Sequence, residues 1–258
     1  MRRADLHPRV ATLLSMYERE DRSAAVGLQL QWMRDHLHPL LSNSQVPIFA
    51  LFGNSDMSHN LPDVVSLTKI QWLTPAAPWA RLADGTLLFG YSYVPLSNHR
   101  LKDWERVDTA QAGPGADADI NGVRSSADGL VPCTVPQSPD ETIEADIERA
   151  LAARPDADAA KVIWATHAPP RGTHADAIAG GAHVGSVAIA EAIERHGPMA
   201  TVHGHIHEAV LMSGGVFKGS LGARTTVYAV GNSYKAEKAS GILIDTERPG
   251  EGERLELS

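Results

Sequence analysis

With 258 residues, 43% of them apolar, the chain can bury one sizeable core, and we expect a single domain spanning 1–258. The net charge of −8 argues against a protein that holds nucleic acid through a broad basic surface, because phosphate neutralisation needs clustered Lys and Arg. The one cysteine, Cys133, cannot form an internal disulfide, which fits a reducing cytoplasm. No apolar run approaches the roughly 20 residues of a membrane span. We therefore expect a cytoplasmic protein that binds neither nucleic acid nor a membrane.

The first half of the chain predicts one long helix followed by short strands. A strand over 46–52 should lead into Gly53-Asn54-Ser55-Asp56, and further strands are expected at 67–72 and 86–91. The preceding helix, over 24–41, should be amphipathic and cover a sheet, because apolar residues recur at helical spacing. These residues are Val26, Leu30, Met33, Leu37 and Leu40.

The middle of the chain predicts a long loop and a capped helix. Residues 109–137 are rich in Gly, Ala, Asp, Ser and Pro, which indicates a loop that is mobile or caps a site. Ser138 and Glu141 form the pattern of a capping box, so a helix should begin there. Its buried stripe should consist of Ile143, Ile147 and Leu151. Before the loop, we expect Arg100, Lys102 and Arg106 to be solvated surface charges.

The last third predicts two strands that run directly into histidines. Residues 161–166 lead to His167, and 199–202 lead to a Thr-Val-His-Gly-His-Ile-His stretch. Strand alternation would send His203, His205 and His207 to one side if the strand continued. Between the two strands, a helix capped by Ser186 should end near residue 196. Apolar alternations at 209–212, 225–230 and 240–245 predict strands of a second sheet.

Polar residues thus follow three predicted strands, as in α/β proteins that bind ligands outside the carboxyl ends of their strands. Imidazole is also the commonest protein ligand for divalent transition metals. Each motif also has a simpler interpretation. Gly53-Asn54 would be an ordinary turn, His167 a structural histidine beside a strand, and 201–207 a histidine-rich loop that binds no metal.

From about Trp32 to the end, these motifs resemble the calcineurin-like metallophosphoesterase family. Its patterns include a Gly-Asn-His-Asp/Glu turn, a lone His after a strand, and Gly-His-x-His near the end. The last two are intact here, and Ser55 alters the first. The resemblance implies a four-layer α-β-β-α sandwich. It also implies a hydrolase that cleaves a small phosphomonoester or phosphodiester substrate with metal-bound hydroxide.

The resemblance further implies metal ligands. Asn54, His167 and His205 would hold one metal ion together with a bridging aspartate, and His207 would belong to the other. The family uses two divalent ions such as Mn, Fe or Zn. His203 is an additional histidine that we interpret as structural or supporting. Ser55 replaces the histidine that protonates the leaving group in many members, which a serine cannot do near neutral pH.

The front of the chain departs from the family pattern. Asp5-Leu6-His7 has the form of the family's Asp-x-His pair, but only four residues precede it, too few for the buried first strand. In the register that fits better, 8–16 corresponds to the second strand, and Ala11-Thr12 stands where Gly-Asp is expected. We therefore expect a front that is N-terminally incomplete or degenerate, with its first strand missing.

Three hypotheses remain open from the sequence. The chain is a working phosphatase with unusual front ligands, a non-catalytic metal-binding or interaction protein that keeps the fold, or an incomplete copy that has lost its first strand. The family assignment is common to all three. Phosphatase activity that depends on Asn54 and His205 would favour the first over the second, and in-frame coding sequence upstream that ends in an apolar strand plus Asp-x-His would favour the third.

Overall fold

The computed structural model describes residues 23–67, 70–111, 118–232 and 239–257, and all structural statements refer to these. Asp5, His7 and the expected strand over 8–16 lie outside them. The described chain is a mixed α/β structure built on a central six-stranded sheet.

Fourteen strands occur in the described parts of the chain. They are β1 (Phe49–Ala50), β2 (Gln71–Trp72), β3 (Trp79–Arg81), β4 (Leu87–Tyr91), β5 (Val94–Pro95), β6 (Glu105–Arg106), β7 (Asn121–Ser126), β8 (Gly129–Thr134), β9 (Val162–Thr166), β10 (Ala200–His203), β11 (Lys218–Leu221), β12 (Thr225–Ala229), β13 (Ala239–Leu243) and β14 (Glu253–Leu257).

The helices are α1 (Ser23–Trp32), α2 (His38–Ser42), α3 (Leu61–Leu67), α4 (Ile143–Ala152), α5 (Val187–His196) and α6 (Ala209–Met212). A π-helical segment, Met33–Leu37, joins α1 to α2. Short 3-10 turns lie at Ser58–Asn60, Pro139–Glu141, Ala159–Lys161 and His174–Asp176.

The central sheet has the strand order β11-β12-β10-β9-β4-β3. Its four inner strands are parallel, and an antiparallel strand lies at each edge. Parallel strands are normally buried on both faces, which explains the continuous apolar run of β9. Side chains of β9 alternate between the faces: Val162 and Trp164 join one core cluster, and Ile163 joins another.

Helices α4 and α5 cover one face of the sheet. Thr142 caps α4 by accepting from the Ala145 N–H, and Ser186 caps α5 by accepting from the Ile189 N–H. Their apolar stripes pack on β4 and β9, where each fully buried isoleucine contributes about 1.5–3 kcal/mol. These isoleucines are Ile143, Ile147, Ile189 and Ile193. The predicted cap residue, Ser138, instead caps the N-terminus of the 3-10 turn just before α4, where its side chain accepts from the Asp140 N–H.

A separate core is formed by residues between Met33 and Trp104. Phe52, Trp72 and Trp104 pack edge-to-face there, with Met33 buried beside them. The predicted helix over 24–41 is present but interrupted by the π segment, and Leu40 is 72% exposed rather than buried. The predicted strand over 46–52 pairs only as β1, which forms a small parallel sheet with β2.

The stretch 109–137, expected to be a loop, contains the antiparallel hairpin β7–β8, and Cys133 lies in β8. The hairpin is held by polar contacts that apolar alternation does not reveal. Asp103 accepts hydrogen bonds from the Ser125 backbone N–H, at 2.9 Å, and from its hydroxyl. The Ser125 side chain is therefore buried against a carboxylate.

Two predictions for the C-terminal part are corrected. The stretch 209–212 forms helix α6 rather than a strand. The strand within 225–230, β12, belongs to the same sheet as β9 and β10 rather than to a second one. Strand β13 does lie outside that sheet, paired with β14. In the described parts of the chain, no helix combines the length and the apolar character that crossing a bilayer requires.

Candidate functional site

The candidate site lies at the carboxyl ends of strands β1, β9 and β10. His167 directly follows β9, His205 comes two residues after β10, and Asn54 follows β1. Since β9 and β10 are parallel neighbours with Thr166 opposite His203, their following residues emerge together. This arrangement agrees with the expectation that three strands bring these side chains to one place.

Three nitrogen and oxygen atoms converge in the site. The Asn54 Oδ1 lies 2.9 Å from His167 Nε2 and 3.2 Å from His205 Nδ1. The two imidazole rings are 5.1 Å apart between centroids and inclined at 60°. Both rings therefore direct a nitrogen toward the same amide oxygen.

The backbone turns sharply after β10, so the expected alternation of three histidines on one side does not occur. The strand ends at His203, and His205 adopts φ = 59°, in the left-handed region. This conformation costs a non-glycine residue about 1–2 kcal/mol. The turn aims His205 at Asn54 while His203 remains in the core.

Gly53 allows the Asn54 turn to approach His167. A Cβ at this position would lie 2.6 Å from Cε1 and 2.7 Å from Nε2 of the His167 ring. Such distances are too short for carbon in contact with a ring, so any larger residue would displace either the turn or the imidazole. Glycine is thus required by close packing against a candidate ligand.

Hydrogen bonds from three parts of the chain hold the Asn54 turn. The Asp56 carboxylate accepts from the Gly53 N–H at 2.7 Å, and burial raises the pKa of Asp56. From helix α1, Gln29 accepts from the Met57 N–H at 2.8 Å. From the loop before β6, Asp103 accepts from the Ser58 N–H at 2.7 Å. These contacts fix a segment that contains little regular secondary structure.

Both site histidines are neutral at physiological pH. Burial lowers the pKa of His167 to about 3, with nearby His205 and His207 lowering it further. Burial likewise lowers the pKa of His205 to about 4, with contributions from His207 and His99. Neutral imidazoles have the free lone pair that a metal ligand needs.

Asn54, His167 and His205 suit a single divalent cation. Catalytic zinc sites have three protein ligands and an open position, and the three-histidine type shows that all three ligands can be neutral. A two-metal centre needs more ligands than these residues supply. Within the described ranges, no group of three or more His, Cys, Asp or Glu side chains is arranged to hold a metal ion. A cation at this point would have two imidazoles and one amide oxygen as its protein ligands among the described residues.

His207 and Ser55 occupy the edge of the site. Both side chains are exposed, and the His207 carbonyl accepts from the Asn232 N–H at 3.1 Å. His207 is close enough to lower the pKa values of both site histidines, yet it forms no metal-holding group with them. Its assignment to a second metal ion stays a prediction.

His203 has the structural role expected of it. The hydroxyl of Thr166 donates to the Ala168 carbonyl, so its oxygen accepts from His203 Nδ1 at 2.8 Å. His203 Nε2 then accepts from the Thr201 hydroxyl, also at 2.8 Å. Both ring nitrogens are satisfied, and burial lowers the pKa of His203 to about 3.

The structure adds a histidine that the sequence reasoning missed. His99 lies close enough to His205 to lower its pKa, and the buried Nε2 of His99 has no hydrogen-bond partner among the described residues. Its loop also contains Lys102, which was expected to be solvated. Lys102 is instead fully buried in a 2.6 Å ion pair with Glu105. The available signal for this pair was the opposite charge of Lys102 and Glu105, three residues apart.

Comparison with known proteins supports the fold but supplies no activity. No protein-family profile matches the chain, and no curated protein matches it. One solved crystal structure, 14% identical, aligns with 95% of this chain and 83% of its own, with a TM-score of 0.57. The crystal structure of TT1561 of Thermus thermophilus, 13% identical, aligns with 92% of this chain and 80% of its own, with a TM-score of 0.49. At such identities, the first likeness shows a shared overall fold and nothing about chemistry.

Proposed function

We propose that this chain is a metal-dependent phosphoesterase of the calcineurin-like type that holds one divalent cation through Asn54, His167 and His205. The observation that supports this is the convergence of one amide oxygen and two neutral imidazole nitrogens. The family's four-layer sandwich belongs to the proposal, with β1 and β2 contributing to the second sheet. So do the cytoplasmic setting and the small phosphorylated substrate.

A divalent cation bound there would supply Lewis acidity toward a phosphate ester and toward water. The chain's own residues keep the site ready for it. Burial keeps both imidazoles neutral, the Asn54 turn is fixed by hydrogen bonds, and Gly53 permits the close approach of His167. The Ser55 hydroxyl is too weak an acid to protonate a leaving group near neutral pH. The substrate should therefore have a leaving group that departs without protonation.

A non-catalytic metal-binding protein is the second candidate. Two observations favour it: the position of the family's proton donor is an exposed serine, Ser55, and His207 joins no metal-holding group with the other histidines. Under this candidate, the same three ligands bind the cation and no ester is cleaved.

Elemental analysis after loading with manganese or zinc and desalting tests the site. We expect about one equivalent per chain, lost in Asn54→Ala and His205→Ala. Loss of a residue that only orients a ligand already weakens metal affinity roughly 10–100-fold, so loss of a ligand should weaken it at least as much. His59→Ala, which removes an exposed histidine outside the cluster, is the matched control. Absence of bound metal in the wild type would overturn both candidates.

Hydrolysis of bis-p-nitrophenyl phosphate by the loaded protein separates the two candidates. Its leaving group needs no protonation, so the reaction can proceed despite Ser55. Turnover that disappears in Asn54→Ala and persists in His59→Ala supports the phosphoesterase. Metal binding without turnover supports the non-catalytic protein.

A further inference from the structure

A cavity of about 590 Å³ lies beside the candidate metal site and contains none of its ligands. Its lining comes from 74–79, from 90–93, and from the side of helix α4 and the residues that follow it. The His167 N–H donates to the Tyr91 carbonyl at 2.8 Å, which places the cavity wall next to the histidine cluster. The volume lies within the range of about 300–1,000 Å³ that small-molecule sites occupy.

Aromatic rings in fixed positions form part of the wall. The Trp79 indole N–H donates to the Ala150 carbonyl at 3.1 Å, and its ring packs on Phe89 with centroids 5.0 Å apart. Tyr91 donates its hydroxyl to Asp146 at 2.9 Å. Rings that are held before a ligand arrives lose little entropy on binding, so this wall is suited to a planar group.

The charge of the wall is opposite to that of the whole protein. Three arginines line the cavity, Arg106, Arg149 and Arg154, together with one carboxylate, Asp146. Arg154 is already paired with Asp156, at 2.9 and 3.0 Å. The local positive charge therefore comes from Arg106 and Arg149 against Asp146. The chain as a whole has a net charge of −8. A local excess of cations in an acidic protein selects an anionic ligand.

The arginines are held in place without being enclosed. Arg106 Nη1 donates to both Asp146 oxygens, at 2.8 and 2.7 Å, and its guanidinium lies 4.2 Å from the centroid of the Tyr93 ring. Arg149 Nη1 also donates to Asp146, at 3.0 Å, but its side chain is 64% exposed. Arg149 can therefore meet an incoming anion at the mouth of the cavity.

We propose that this cavity binds a small planar aromatic molecule that carries a phosphate group, the chemistry of a nucleoside monophosphate. The ring would contact the Trp79 side of the cavity, and the phosphate would meet Arg149 and Arg106. The inference does not rest on the proposed phosphoesterase activity, because no metal ion enters it.

Titration calorimetry with AMP in the presence of EDTA tests the cavity without metal. AMP should bind measurably. Adenosine, which lacks the phosphate, and ribose 5-phosphate, which lacks the aromatic base, should each bind at least about tenfold more weakly. Failure of AMP to bind at millimolar concentration would overturn the inference, as would equal binding of all three compounds.

Two exposed positions give variants that should fold. Arg149→Ala should weaken AMP binding at least about tenfold, and Ala153→Trp should block the cavity, since Ala153 is an exposed lining residue. Arg195→Ala is the matched control: it removes an exposed arginine that pairs with Glu148 of helix α4 and lies outside the lining. Affinity that is unchanged in Arg149→Ala and Ala153→Trp would place AMP elsewhere and refute the assignment.

Discussion

Two histidine regions lie next to each other at the end of strand β10, and they differ in how their ring nitrogens are satisfied. In the core region, His203 lies between the hydroxyls of Thr166 and Thr201. In the candidate site, His167 and His205 share one amide oxygen, that of Asn54. Burial lowers the pKa in both regions. Hydrogen-bond partners therefore separate a structural histidine from a candidate ligand, whereas burial and a lowered pKa do not.

The largest difference between the two regions should appear in stability. His203→Ala removes a buried ring and leaves the Thr201 hydroxyl without its partner, so the free energy of unfolding should fall by about 3 kcal/mol. His205→Ala should cost about 1 kcal/mol, because that side chain is less buried and its partner Asn54 stays paired with His167. Urea denaturation of both variants measures the contrast. Equal losses would show that the two histidines belong to one structural unit.

The second expected effect is acid destabilisation through His203. Its pKa falls from an ordinary 6.5 to about 3 on folding, so the unfolded chain binds the proton first as pH drops. The stability from neutral His203 is complete above pH 6.5 and declines below it, by up to about 1.4 kcal/mol per pH unit until about pH 3. His203→Gln should make the fall of urea midpoints between pH 6.5 and about 4 shallower, and the lowered pKa values of His167 and His205 should leave the remaining slope. An unchanged slope in that variant would assign the acid sensitivity to other groups.

A third prediction concerns the candidate site alone. Gly53→Ala should displace His167 from Asn54, weakening metal binding about tenfold and lowering stability by about 1 kcal/mol. Gly27→Ala is a matched control, since a Cβ there meets nothing within 4 Å and alanine favours helix α1 by up to about 1 kcal/mol. Calorimetric metal titration and thermal melts of both variants are the measurements. Full metal affinity in Gly53→Ala would mean that the close approach of His167 has no role in binding.

The sequence predicted the sheet strands that lead to the two site histidines because their signals are local. The apolar runs of β4, β9 and β10 are short and buried, and α5 has a recognisable cap in Ser186. Helix α4 was also expected, although its cap is Thr142 and lies four residues after the predicted one. The order of the motifs then indicated which side chains meet.

Elements held by polar contacts or by distant partners were not predictable in the same way. Hairpin β7–β8 depends on Asp103, which is remote in sequence from Ser125 and carries no apolar signal. The left-handed backbone of His205 cannot be recognised from composition, because non-glycine residues rarely adopt it. His99 approaches the site only through the fold, and its loop showed no metal-ligand spacing.

The smallest expected effect on stability belongs to His207, and it decides between a one-metal and a two-metal site. His207→Ala removes an exposed ring, so stability should change by less than about 0.5 kcal/mol. Because His207 lowers the pKa of His205, that pKa should rise in the variant, which NMR titration of the imidazole can follow. Metal content measured by elemental analysis should remain at one equivalent, since Asn54, His167 and His205 are untouched. A wild type with two equivalents that falls to one in His207→Ala would instead show that ligands beyond these three complete a second site.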